Sequence, residues 1–139
     1  MKTNILAVII ALTLTASCTS KVNESDVPKA IIESFNTNFK GSIVESWDKE
    51  KDGGYEAEFE LNGVETSATF STDGNLLETE REIEQSALPT SVNEYVKTNY
   101  EGKSIDEVAK ITTGEGIVKY EVEIENVDLI FDDKGNLFN

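Results

Sequence analysis

Carboxylates are the side chains numerous enough here to do chemistry: 27 Asp and Glu stand against 12 Lys and Arg, with no histidine and one cysteine. Paired carboxylates hydrolyse glycosides when burial raises the pKa of one of them, but no Glu in this sequence sits in an apolar context that would raise it. A histidine base, a Cys–His pair and a zinc cluster are excluded by composition. No glycine-rich loop offers backbone N–H groups to a phosphate. The expectation is therefore a protein that is not an enzyme and carries no cofactor. A net charge of −15 also lacks the basic stripe that nucleic-acid binding requires.

The spacing of the carboxylates is more informative than their number. Glu56, Glu58 and Glu60 alternate with Tyr55, Ala57, Phe59 and Leu61, and Glu121, Glu123 and Glu125 alternate with Tyr120, Val122 and Ile124. Each run reads as a strand with one acidic and one apolar face. Asn62-Gly63 turns the first run into Val64, Thr66, Ala68 and Phe70, while Glu125-Asn126 turns the second into Val127, Leu129 and Phe131. Counting back from the turns sets Glu60 opposite Glu65 and Glu123 opposite Asp128, pairs of like charge that destabilise a sheet. Glu56, Glu58, Glu78, Glu80, Glu82 and Glu121 add to this field, and Lys119 relieves it locally. A charge run most commonly keeps a protein soluble and its strand edges unpaired. The functional alternative is a surface that attracts a basic partner or divalent cations.

Trp47, the single tryptophan, fits a plug between helix and sheet better than an exposed anchor, although both placements are open to it. The segments Ser71-Thr72-Asp73-Gly74-Asn75 and Asp132-Asp133-Lys134-Gly135-Asn136 have too few alternating carboxylates for a calcium loop and read as hairpin turns.

The elements that must position these residues occur in two copies, 61 residues apart. Val27, Ile31, Phe35 and Phe39 recur as Leu88, Val92, Val96 and Tyr100, and Pro28, Gly41 and Phe70 as Pro89, Gly102 and Phe131. The i, i+4, i+8 spacing predicts a helix with one buried face, thickened by Ala30 and Tyr95, beginning near the proline and ending before the glycine. A first strand is expected at Ser42–Asp48 and Ile105–Ile111, before each hairpin. A last strand is expected at Asn75–Ile83, with only a stub after Lys134-Gly135. The fold class is α+β: two tandem units, each a helix plus an antiparallel meander, with helices on one face of the sheet. With 38% hydrophobic residues the chain can build such a core.

The address lies at the start. Lys2, the apolar run Ile5 to Leu14 and the small residues Thr15-Ala16-Ser17 form an export signal over residues 1–17, too short for a permanent membrane span. Cys18 follows and resembles the bacterial lipoprotein box, with Thr15 where leucine is usual. Lipidation of Cys18 would anchor the chain, and residues 18–25 read as a lipidated, flexible tether. The alternative is a secreted protein with an unpaired cysteine.

The succession Val27-Pro28, Phe35, Phe39, Trp47, Gly54-Tyr55-Glu56-Ala57-Glu58-Phe59, Phe70 and Asp73-Gly74 returns as Leu88-Pro89, Tyr100, Tyr120-Glu121-Val122, Phe131 and Gly135. In this order it resembles the PepSY-like, or β-lactamase-inhibitor-like, domain of bacterial envelope lipoproteins. The resemblance spans about residues 26 to 138 and divides the chain into one copy at 26–84 and another at 87–139. It implies one continuous curved sheet, a periplasmic or surface location, and binding or restraint of another protein. It brings no catalytic residues and does not transfer β-lactamase inhibition. The resulting expectation is a lipid-anchored envelope protein, facing the periplasm or held at the outer membrane. It would bind an envelope or secreted protein through the acidic sheet face and loops, with Trp47, Tyr55, Glu58, Glu60, Glu65, Glu121 and Glu123 as partner-binding residues. The alternative is a periplasmic module for divalent cations or a small ligand, and the third possibility is a purely structural envelope protein.

Overall fold

The computed structural model describes residues 20–138, so residues 1–17, read from the sequence as an export signal, and Cys18 lie outside the described residues. Eight strands form one sheet in chain order, each antiparallel to its neighbours. They are β1 (Ser20–Val22), β2 (Val44–Lys49), β3 (Tyr55–Leu61), β4 (Val64–Phe70), β5 (Leu76–Glu82), β6 (Ile105–Thr113), β7 (Val118–Ile124) and β8 (Val127–Asp132). Helix α1 (Lys29–Asn38) precedes β2 and helix α2 (Thr90–Asn99) precedes β6.

Helix punctuation follows the residues. Pro28 and Pro89 stand at the N-caps, where their missing N–H groups cost nothing. Past the C-terminal ends, Gly41 and Gly102 take φ of 86° and 76°, a conformation that glycine adopts without a Cβ penalty. The hairpin turns have positive φ at both central residues, Asn62 and Gly63 in one, Glu125 and Asn126 in the other. This twist matches that of the flanking strands and fixes the register. Tyr55 faces Phe70 and Leu61 faces Val64, while Tyr120 faces Phe131 and Ile124 faces Val127, as counting from the turns requires.

The tether is shorter than expected. Ser20–Val22 pair with Lys49, Asp48 and Trp47 of β2, and Val22 packs on the core. Without β1, the strand that carries Trp47 would be an unpaired edge.

Both helices cover the same sheet face, over separate apolar clusters. Under α1, Ile31 and Phe35 meet Trp47, Ala57, Phe59, Ala68 and Phe70. Phe35 and Phe59 contact edge to face at 4.9 Å, and Phe35 and Trp47 at 5.9 Å. Under α2, Val92 and Val96 meet Val108, Val122, Ile124, Leu129 and Phe131, with Tyr95 5.3 Å from Phe131. Ala30 is exposed and does not widen the stripe on α1. It lies instead beside the Gly74 turn. The last segment pairs only through Leu137 with Phe131.

Candidate functional site

On the face away from the helices, the register aligns acidic residues across the strands. One row runs Asp48, Glu56, Thr69, Glu78, Thr113, and the next Ser46, Glu58, Ser67, Glu80, Ile111, Lys119, Asp132. Glu60 faces Glu65 and Glu123 faces Asp128. Glu107, on β6, faces Glu123. The only lysines in register with these rows are Lys21, opposite Asp48, and Lys119, opposite Asp132.

Burial makes this field costly. Glu56 is 2% exposed and its Oε1 has no hydrogen-bond partner. Loss of water pushes its carboxyl up to about 7; a hydrogen bond with Ser67 pulls it back, and Glu50, Glu58 and Asp48 add repulsion. Glu80 rises to about 8, through burial first and then through Glu121, Glu107, Glu56 and Glu78. Glu107 and Glu121 each rise to about 7, again chiefly by burial. Glu65 is raised for the same reason, with Glu82 the strongest source of repulsion.

These shifts overturn the expectation that no Glu is marked by an apolar setting. The open face is not wholly polar: Ala109 and Ile111 belong to it and are buried, and Ile130 lies opposite Glu121. The legible signal is the run Val108-Ala109-Lys110-Ile111, where alternation fails and apolar residues fall on both faces of β6. Glu80, opposite Ile111, and Glu107, on this strand itself, were not singled out as site residues by the sequence.

The residues expected to bind a partner divide. Glu58, Glu60, Glu65, Glu121 and Glu123 share the open face; Glu60 and Glu65 are exposed, Glu58 accepts a 2.5 Å hydrogen bond from Ser46, and Glu123 is nearly buried. Trp47 and Tyr55 do not join them. They point to the helix side and are 4% and 7% exposed, because Trp47 is in register with Ala57, and Tyr55 with Phe70, inside the apolar cluster. A bulge between Val44 and Ser46 releases Ile43 and Glu45 from Trp47's environment, leaving both exposed.

Asp132 closes the last turn rather than an ion site. Its carboxylate accepts hydrogen bonds from the backbone N–H groups of Lys134 and Asn136 and from the Asn136 side chain, at 2.8 to 2.9 Å, which hold its pKa below the usual value. Among the described residues, no three acidic or cysteine side chains are grouped to hold a metal ion, and no helix is long and apolar enough to cross a membrane.

An open antiparallel sheet with two helices on one face and crowded carboxylates on the other defines an α+β sheet protein whose distinctive surface is acidic. The chain belongs to the family described as "Putative beta-lactamase-inhibitor-like, PepSY-like", whose profile matches residues 13–67 and 53–139. Among solved structures it is similar to a "putative periplasmic" protein of Bacteroides eggerthii, with TM-score 0.73, 15% identity and coverage of 81% of this chain and 86% of that one. It is also similar to a BLIP-like protein of Bacteroides fragilis, with TM-score 0.65, 23% identity and coverage of 81% and 83%. These likenesses establish the shared fold. No match occurs among curated proteins.

Proposed function

We propose that this is a non-catalytic, lipid-anchored envelope protein that binds a basic segment of another protein through its acidic sheet face. The observation that carries the reading is the like-charge pairing on that face, where Glu60 and Glu65 stand opposite each other and are both exposed. A lysine or arginine brought by a partner would supply a donor and a countercharge to both carboxylates. The family and its periplasmic relative support an envelope setting, with Cys18 as the lipid attachment site. The recurrence of helix and meander supports descent from one duplicated unit.

The test is crosslinking in the native envelope, with recovery of the anchored protein and mass spectrometry. The wild type is compared with a Glu60→Lys/Glu65→Lys variant and a Glu123→Lys/Asp128→Lys variant. A partner that is captured by the wild type and lost on reversal supports the reading. Retention of every partner by both folded variants, or the absence of any reproducible partner, rejects it.

A further inference from the structure

The helix side of the sheet holds a second feature, of opposite charge. One row across six strands reads Phe59, Thr66, Arg81, Lys110, Tyr120, Phe131. Its aromatic ends lie in the clusters under α1 and α2, while its centre belongs to neither cluster. A groove of about 1090 Å³ opens there, lined by Arg81 and Lys110 together with Leu61, Val64, Ile83 and Val108.

Arg81 and Lys110 face each other directly on β5 and β6. Like charges in that position repel, and neither side chain makes an ion pair or hydrogen bond among the described residues. In a chain with 27 acidic residues against 12 basic ones, two adjacent cations that are left unneutralised leave room for an anion from outside. The guanidinium offers a fork of donors that matches a carboxylate, and the ammonium adds a point charge.

Two further observations narrow the class. Apolar side chains flank the cations, so the ligand carries an apolar body. The acidic residues Glu84 and Asp106 also line the groove, and they repel a doubly charged phosphate more strongly than a singly charged carboxylate. We infer that this groove binds an amphipathic monocarboxylate, its charged end between Arg81 and Lys110 and its apolar end against Ile83 and Val108. A fatty acid and the C-terminus of an apolar peptide share that chemistry.

The test is a heteronuclear NMR titration of the full chain with five probes: decanoate, decanol, acetylated trileucine as the free acid and as the amide, and inorganic phosphate. At least one acid is expected to shift the resonances of Arg81 and Lys110 while its uncharged counterpart does not. The responding acid tells a lipid source from a peptide source. Arg81→Gln and Lys110→Gln, each shown to be folded by its own spectrum, should weaken binding by about tenfold. Raising NaCl from about 0.05 M to about 0.5 M should weaken it further. Equal shifts with decanol and the amide, unchanged binding in both folded variants, stronger binding of inorganic phosphate, or no shift with any probe would overturn the inference.

Discussion

Glu80 shows at the residue scale why the acidic face cannot be treated as a solvated charge run. It sits between Ser67 and Ile111 in the sheet register, and its carboxyl is raised to about 8. The unfolded chain titrates near the ordinary value of 4.5, so between that pH and about 8 the folded state binds the extra proton. Stability from this group is therefore complete below the unfolded pKa and is lost as pH rises through the folded one. Glu56, Glu107 and Glu121, each raised to about 7, act in the same direction. Thermal unfolding is expected at a higher temperature at about pH 5 than at about pH 8.5. Glu80→Gln should raise the alkaline melting temperature by roughly 2–4 °C and flatten the pH dependence. Equal melting temperatures at the two pH values, or an undiminished slope in Glu80→Gln, would contradict this account. Alternation alone did not reveal Glu80 and Glu121, because the apolar residues opposite them, Ile111 and Ile130, lie on neighbouring strands. Trp47, which fits a plug between helix and sheet in the sequence, is on the helix side opposite Ala57, and Tyr55 is there opposite Phe70; alternation did not settle the side of Trp47, because Ile43 and Glu45 stand at the same spacing before it.

At the element scale, the turns after β4 and β8 do more than reverse the chain, since each packs on a helix start. An added Cβ on Gly74, whose φ is 85°, would meet the Ala30 carbonyl at 3.0 Å. One on Gly135, also at φ 85°, would collide with the Ser91 hydroxyl. Ser91 holds that turn directly, donating a 2.9 Å hydrogen bond to the Lys134 carbonyl. Gly135→Ala is therefore expected to destabilise by about 1–3 kcal/mol, from the left-handed backbone and the collision together. Ser91→Ala in the same chain should recover only the part of the collision due to the hydroxyl, because the Ser91 Cβ also stands against the added methyl. Denaturant unfolding of both variants checks this, and an unchanged midpoint in Gly135→Ala would show that the turn does not bear on α2. The sequence located both turns and both hairpin registers correctly, because Asn-Gly and Asp-Gly turns are local signals. Strand β1 was hidden, since three residues among polar neighbours carry almost no periodicity and become a strand only when β2 offers an edge.

For the whole molecule, the question is how two apolar clusters with no buried residue in common behave as one body. They are joined by β5 and β6, paired at five positions from Glu78 opposite Thr113 to Glu82 opposite Ala109. That seam carries Glu80 on one face and the Arg81–Lys110 pair on the other, so the two charge features lie back to back on the same strands. Each half alone is near the size at which a single core is marginal, and the half under α2 has the poorer aromatic content. Loss of packing there should therefore be felt throughout the sheet rather than confined to one end. Val92 is fully buried in the second cluster, and Val92→Ala should cost about 2 kcal/mol. Hydrogen exchange is expected to show faster global opening in β3 and β4 as well as in β7 and β8, within a single unfolding transition. Loss of protection restricted to α2, β7 and β8 would mean that the halves unfold independently. Both the acidic face and the basic groove would then be divided by a flexible seam, and a partner bound across it would stabilise the molecule by holding the two halves in register.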